Sequence, residues 1–228
     1  FYTDDWIWDT YRAAHPLRTL IDQQKEEDII ASYLRMAEQM GNMWMPTFPE
    51  VTGDTRRMNS NHAVATVADA LAKGLKVDTA KAYEACRKGI EEKTLAPWSG
   101  APAGWLDNFY RENGYIPALR VDEPENDPNV HPFEKRQPVA VTLGTSYDQW
   151  CLSRIAQALN KKEEAEYYLN VRITTGISTI KRPLSSIRKI RKDNGLNHST
   201  TVFPEAWEPV SIMEKTTAGF TAGTCHTM

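Results

Sequence analysis

The feature that most constrains this chain is apolar residues recurring at helical spacing, in segments separated by long polar and proline-rich stretches. From Glu26 to Met40, Ile29, Ile30, Leu34, Met36, Ala37 and Met40 fall near one face of a helix, and Gly41-Asn42 supplies a stop. A second helix is expected from about Asn61 to Lys73, closed by Gly74. A third starts at the cap Asp78 and runs to about Lys93, with Tyr83 and Ile90 inward. A fourth spans Tyr147 to Leu159, with Trp150, Cys151, Ile155 and Leu159 on or near one face, and a fifth begins at Glu163. The alternation that marks strands is nearly absent, so the expected fold class is all-α.

The stretches between are read as loops. Trp44 to Asn61 carries Pro46, Pro49 and Gly53. Residues 94–144 hold only the short helical piece Leu106–Glu112 and the turn Asn113-Gly114, and the acidic, proline-bearing segment Asp122–Pro138 is expected at the surface. Near the start, Asp4 and Asp5 would suit a helix N-terminus. Trp8–Ala14 can be helical, with Pro16 expected to kink or end that piece.

Charge and cysteine usage narrow the function classes. The 228 residues carry a formal net charge of −3, which disfavours a nucleic-acid or anionic-membrane binder. No apolar run approaches the roughly 18 residues of a spanning helix. Cys86, Cys151 and Cys225 lie far apart and form no zinc spacing. His15, His62, His131, His198 and His226 have no metal-ligand spacing, and no phosphate-binding glycine loop or nucleophile elbow is present. The chain begins at Phe1 without a leader segment, as expected of a piece of something longer.

The densest cluster of chemistry is FYTDDWIWDTYRAAHPL at the start. A flat indole can stack on the apolar face of a pyranose while a neighbouring carboxylate accepts bonds from vicinal hydroxyls, and Trp8 with Asp9 fits that pairing. The alternative is a helix start with aspartate caps and buried tryptophans. Asn61 with His62, and Tyr147 with Asp148, stand at apparent helix starts and read equally as caps. Cys151 reads as helix core, since no base partner is identifiable.

Four segments occur in the order found in glycoside hydrolase family 92: FYTDDWIWDTYRAAHPL, NHAVATVADALAKG, NGYIP and SYDQWCLSRIAQALNK. Over residues 1 to about 170 the chain resembles those calcium-dependent α-mannosidases, many of which cleave α-1,2-linked mannose. It departs at Gly144-Thr145-Ser146, where the family more often has a glutamate and small or aromatic residues. The resemblance implies an (α/α)6 toroid, of which residues 1–170 hold roughly half, with a β-sandwich domain and the remaining toroid helices as missing partners. It also implies an inverting mechanism with an acid and a base on opposite faces of the sugar. Calcium is the implied cofactor, with its ligands, the acid and the base in motifs further towards the C-terminus and not in frame here. The implied substrate is a mannose-containing glycan, bound by Trp8 and Asp9, and the implied location is periplasmic or extracellular. The piece by itself is expected to be inactive. A non-catalytic helical binding module, or a different (α/α)6 glycosidase using Asp9 with Asp148, are the alternatives.

Residues 171–228 change character: many Thr and Ser, no steady period, and the short basic run IRKIRK. A frameshift accounts for this. With suitable codons, Asn194–Ser199 read from the third base yields Trp-Ile-Glu-Pro-Phe, and Met213–Phe220 in the same frame yields Gly-Glu-Asn-Asn-Gly-Trp-Ile. The glutamate of the second string aligns with the family's proposed acid, and Glu214 of the actual chain is not that residue. The tail is therefore expected to be out of frame and disordered, the alternative being a genuine divergent sequence.

Overall fold

The computed structural model describes residues 2–120 and 122–172. Its elements are α1 (Ile7–Thr10), α2 (Ala14–Ile21), α3 (Gln23–Gln39), β1 (Pro49–Glu50), β2 (Gly53–Asp54), α4 (Ala63–Ala72), α5 (Thr79–Glu91), α6 (Trp105–Asn113), α7 (Pro138–Ala158) and α8 (Lys162–Arg172). The expected all-α class therefore holds, with one two-residue antiparallel hairpin pairing Pro49 with Asp54 and Glu50 with Gly53. The remainder of the expected out-of-frame tail, residues 173–228, lies outside the described residues.

Helix α7 is the hub. It packs against α4, α5 and α8, while α3 packs against α2, α4 and α5. The main core gathers Ile30, Tyr33, Val64, Val67, Leu152 and Ile155, all at most 1% exposed. A smaller core under the long loops joins Leu95, Leu106, Tyr110, Ile116, Val130 and Val141. Large apolar side chains remain open on α2, where Leu17, Leu20 and Ile21 are exposed.

Several boundaries differ from the sequence reading, each for a local reason. Pro16 does not end a helix. It sits in the first turn of α2, where a missing N–H costs nothing, because the first N–H groups of a helix have no intrahelical acceptor. Asp22 accepts the N–H of Lys25 at 3.3 Å and starts α3 three residues earlier than its apolar face suggests. Helix α7 begins at Pro138, nine residues before Tyr147, with proline in the first helical position. Asp78 caps α5 as expected, accepting from Lys81 N–H at 3.1 Å.

The acidic segment before α7 is not simply a surface loop. Asp127, Val130 and Arg136 are buried within it. Arg136 forks onto both oxygens of Glu125 at 2.7–3.0 Å, donates to Asn126 Oδ1 at 2.7 Å, and stacks over Trp105 at 5.2 Å. Burial raises the Glu125 carboxyl, but the Arg136 fork outweighs it and holds it below the ordinary value. One buried, bidentate guanidinium thus substitutes for secondary structure in ordering about ten residues.

Asp5 also departs from expectation. It caps no helix; α1 has no side-chain cap. Instead it joins a buried charge cluster beneath α1, in which the His15 ring lies 2.9 Å from Asp5 and 2.7 Å from Glu26, and Tyr33 and Thr10 donate to Asp5. Arg18 approaches Glu26 at 4.0 Å. The cluster anchors the short α1, and with it Trp8, onto α2 and α3.

Candidate functional site

Helix α1 is too short to hold itself, and its side chains are placed by what they touch. Trp8 is half-buried and Asp9 is exposed. The indole Nε1 donates to Asn59 Oδ1 at 3.4 Å. That oxygen also accepts from Ser60 Oγ at 2.7 Å, while Asn59 Nδ2 donates to Gln137 Oε1 at 2.7 Å. Gln137 Nε2 in turn donates to Glu134 Oε2 at 2.6 Å. This relay ties three segments distant in sequence: α1, the loop before α4 and the loop before α7.

The rim around Trp8 is aromatic and cationic. The Arg12 guanidinium lies 5.3 Å from the Trp8 ring centre and 5.4 Å from that of Tyr11, and its Nε donates to the Tyr11 hydroxyl at 3.1 Å. One indole face is thereby occupied. Behind it, Tyr11 lies 4.1 Å from the His62 ring and 6.1 Å from Tyr147, which stacks with Trp150. An indole fixed by its N–H, with an exposed carboxylate on the next residue, is suited to stacking on a sugar ring and accepting its hydroxyls.

The floor is built by Asp148, fully buried in the middle of α7. It does not cap its own helix. Its Oδ2 accepts the Asn61 backbone N–H at 2.6 Å and its Oδ1 lies 2.7 Å from His62 Nδ1, so it fixes the start of α4. Neither Asn61 nor His62 makes the side-chain cap anticipated for it. The structure thus brings Asn61, His62, Tyr147 and Asp148 together. Asp9 with Asp148 does not form the open carboxylate pair of the alternative glycosidase reading, because Asp148 is sealed and both its oxygens are engaged. Cys151 is core, as its apolar spacing implies; burial, then the nearby Asp148 charge, pushes its thiol up.

Backbone strain gathers around this rim. Arg56, Met58 and Ser60 take positive φ (53°, 61° and 75°), as do Lys135 and Gln137 (61° and 43°). Non-glycine residues in that region cost energy and are retained where surrounding contacts over-determine them, typically at functional sites. Gly144, the position that departs from the family pattern, has a specific role here. A Cβ on it would stand 2.1 Å from Ser60 Oγ. The glycine makes room for the loop that carries Asn59.

Asn59, Gln137 and Arg12 were not singled out by sequence. Nothing local marks them: 78 residues separate Asn59 from Gln137. Among the described residues, no group of three or more His, Cys, Asp or Glu could hold a metal ion. No helix among them is long and apolar enough to cross a membrane.

Comparison with known proteins identifies the family and the fold. The sequence model of the glycosyl hydrolase family 92 catalytic domain matches residues 1–172. Among solved structures, the chain is similar to the family GH92 α-mannosidase BT3965 from Bacteroides thetaiotaomicron, at 28% identity and a TM-score of 0.60. The match covers 76% of this chain and 20% of that one, and the same values hold for BT3965 in complex with mannoimidazole. The GH92 inverting mannosidase BT2199 from Bacteroides thetaiotaomicron VPI-5482 matches at 28% identity and a TM-score of 0.61, covering 77% of this chain and 21% of that one. The chain thus spans about a fifth of the length of these solved chains. No curated protein matches it. The catalytic domain of these enzymes is an (α/α)6 toroid, and the helical pairs described above are part of such a ring. The chain belongs to glycosyl hydrolase family 92.

Proposed function

We propose that this chain is part of the catalytic domain of an inverting α-mannosidase that removes α-1,2-linked mannose from glycans. The observation that carries the reading is the family match over residues 1–172, with an α-mannosidase neighbour that binds mannoimidazole. In this reading residues 1–170 are the domain piece, and Trp8 and Asp9 line the subsite for the non-reducing mannose. The free face of Trp8 stacks on the sugar, and the Asp9 carboxylate accepts from vicinal hydroxyls. The Asn59–Gln137 relay and Arg12 hold the indole for that contact.

Inverting hydrolysis needs an acid that protonates the leaving oxygen and a base that activates water on the opposite face. The reading assigns neither to the described residues. Calcium, the β-sandwich and the remaining ring helices likewise belong to other parts of the intact enzyme, which acts in the periplasm or outside the cell. The exposed Leu17, Leu20 and Ile21 of α2 are where further ring helices would pack.

The test uses the chain itself. Saturation-transfer NMR should show methyl α-mannoside bound in preference to methyl α-galactoside, with affinity falling about tenfold or more (~1.4 kcal/mol) in Trp8→Ala and Asp9→Asn. Incubation with α-1,2-mannobiose and calcium should release no mannose. Equal signals from both sugars, or signals untouched by either substitution, would overturn the subsite. Mannose release by the chain alone would overturn the assignment of the chemistry to other parts.

A further inference from the structure

Beside the relay that holds Trp8 stands a second aromatic group that the sugar-binding reading does not use. Residues 93–102 form a closed loop: Lys93 pairs with Pro102, and Thr94 N–H donates to Ala101 O at 2.9 Å. Trp98 stands at the tip of that loop, 40% exposed. Its ring centre lies 5.0 Å from that of His131 and 6.3 Å from that of Phe133, which is 78% exposed. The Trp98 and Phe133 rings are tilted by 39°, so they open as a shallow trough rather than a closed stack.

The trough is tied to the Trp8 rim from both sides. Trp98 N–H donates to Met58 O at 3.2 Å, and the next residue, Asn59, accepts from the Trp8 indole at 3.4 Å. Phe133 precedes Glu134, which accepts from Gln137, the partner of Asn59. Trp98 itself holds a φ of 59°, where a bulky side chain is strained and glycine or asparagine is the easy choice. Burial offsets little of that strain, since much of the indole stays exposed. A strained residue with an open ring face fits a ligand contact better than a loop that serves stability alone. His131 Nδ1 accepts the Phe133 N–H at 3.2 Å, so its neutral ring carries the proton on Nε2, a donor for a hydroxyl. Flat ring faces with a hydrogen-bond donor at their edge match the apolar face and hydroxyl rim of a pyranose.

We propose that Trp98, Phe133 and His131 form a second sugar-stacking subsite, which takes a further hexose of the glycan whose terminal mannose stacks on Trp8. The inference rests on the sugar-binding reading for the identity of the glycan. It adds a path for that glycan, from Trp8 across residues 58 and 59 to Trp98. Bound along this path, an oligosaccharide is held in preference to a single sugar.

The test is NMR titration of the chain with methyl α-mannoside and with α-1,2-mannotriose. The trisaccharide should bind about fivefold or more tighter. Trp98→Ala should remove that gain and leave the affinity for methyl α-mannoside unchanged, whereas Trp8→Ala should weaken both ligands. Phe133→Ala should remove part of the gain. The Phe133 side chain is largely in solvent, so this variant keeps the test decisive if Trp98→Ala fails to fold. A trisaccharide no tighter than the monosaccharide, or a gain that survives both substitutions, would overturn the proposal and leave the trough to be covered by protein. Trisaccharide binding that is lost in Trp98→Ala but untouched by Trp8→Ala would keep this subsite and overturn the Trp8 reading instead.

Discussion

The Asp148 carboxylate accepts the backbone N–H of Asn61 at 2.6 Å, a bond that closes 87 residues of chain from the middle of α7 to the start of α4. Its other oxygen is taken by His62. Removing the carboxylate leaves a backbone donor and an imidazole buried without a partner. Asp148→Ala should cost about 3 kcal/mol, read as a lower midpoint in urea unfolding. Asp148→Asn keeps one acceptor and should lose about half as much.

The buried cluster around His15 sets a pH window for stability. Burial opposes the imidazolium, yet hydrogen bonds to Asp5 and Glu26 outweigh it and raise His15 above its ordinary 6.5. Burial likewise opposes the Asp5 carboxylate, but bonds from His15 and Tyr33 hold it below its ordinary 3.8. The His15 contribution is complete below about pH 6.5 and is lost as pH rises through its raised folded value. That of Asp5 is complete above about pH 4 and is lost as pH falls through its lowered folded value. Urea midpoints across pH 3–9 should thus plateau between about 4 and 6.5. His15→Gln should lower the plateau by about 3 kcal/mol and flatten the alkaline limb.

Gly144 is where a single methyl should reach the sugar rim. Gly144→Ala drives a Cβ into Ser60 Oγ, so the serine must turn and drop its bond to Asn59. The expected cost is about 1–2 kcal/mol in unfolding, together with a shift of the Trp8 fluorescence maximum or indole N–H resonance. Ser60→Gly in the same chain should recover much of the stability. An unmoved Trp8 signal would separate the glycine from the rim.

The buried thiols should be inert. Burial, then the Asp148 charge, pushes both Cys86 and Cys151 up, and both are 1% exposed. Iodoacetamide at pH 8 followed by peptide mapping should leave these two unlabelled in the native chain and labelled in denaturant. Native labelling of Cys151 would reopen a nucleophilic role.

Helix existence was legible because burial on one face leaves a periodic trace: Ile29, Ile30, Leu34, Met36 and Ala37 are all buried, as their spacing implies. Boundaries were less legible. Pro138 and Gly144 look like breakers, but one occupies a first-turn position that needs no N–H and the other makes space for a neighbour. By sequence Asp5 suits a helix N-terminus, and Asp148 reads equally as a functional group or a cap, because carboxylates commonly sit at helix starts. Both serve partners in other segments, His15 and Tyr33 for one and the start of α4 for the other.

The sequence by itself determined the all-α class, the helical core faces and the family, since these depend on residue type and order along the chain. The tertiary structure alone decided that Asn59, Gln137 and Arg12 hold Trp8, and that Asp148 is sealed from any sugar. Such facts depend on which segments meet in space, and contacts across 78 or 87 residues leave no period in a sequence.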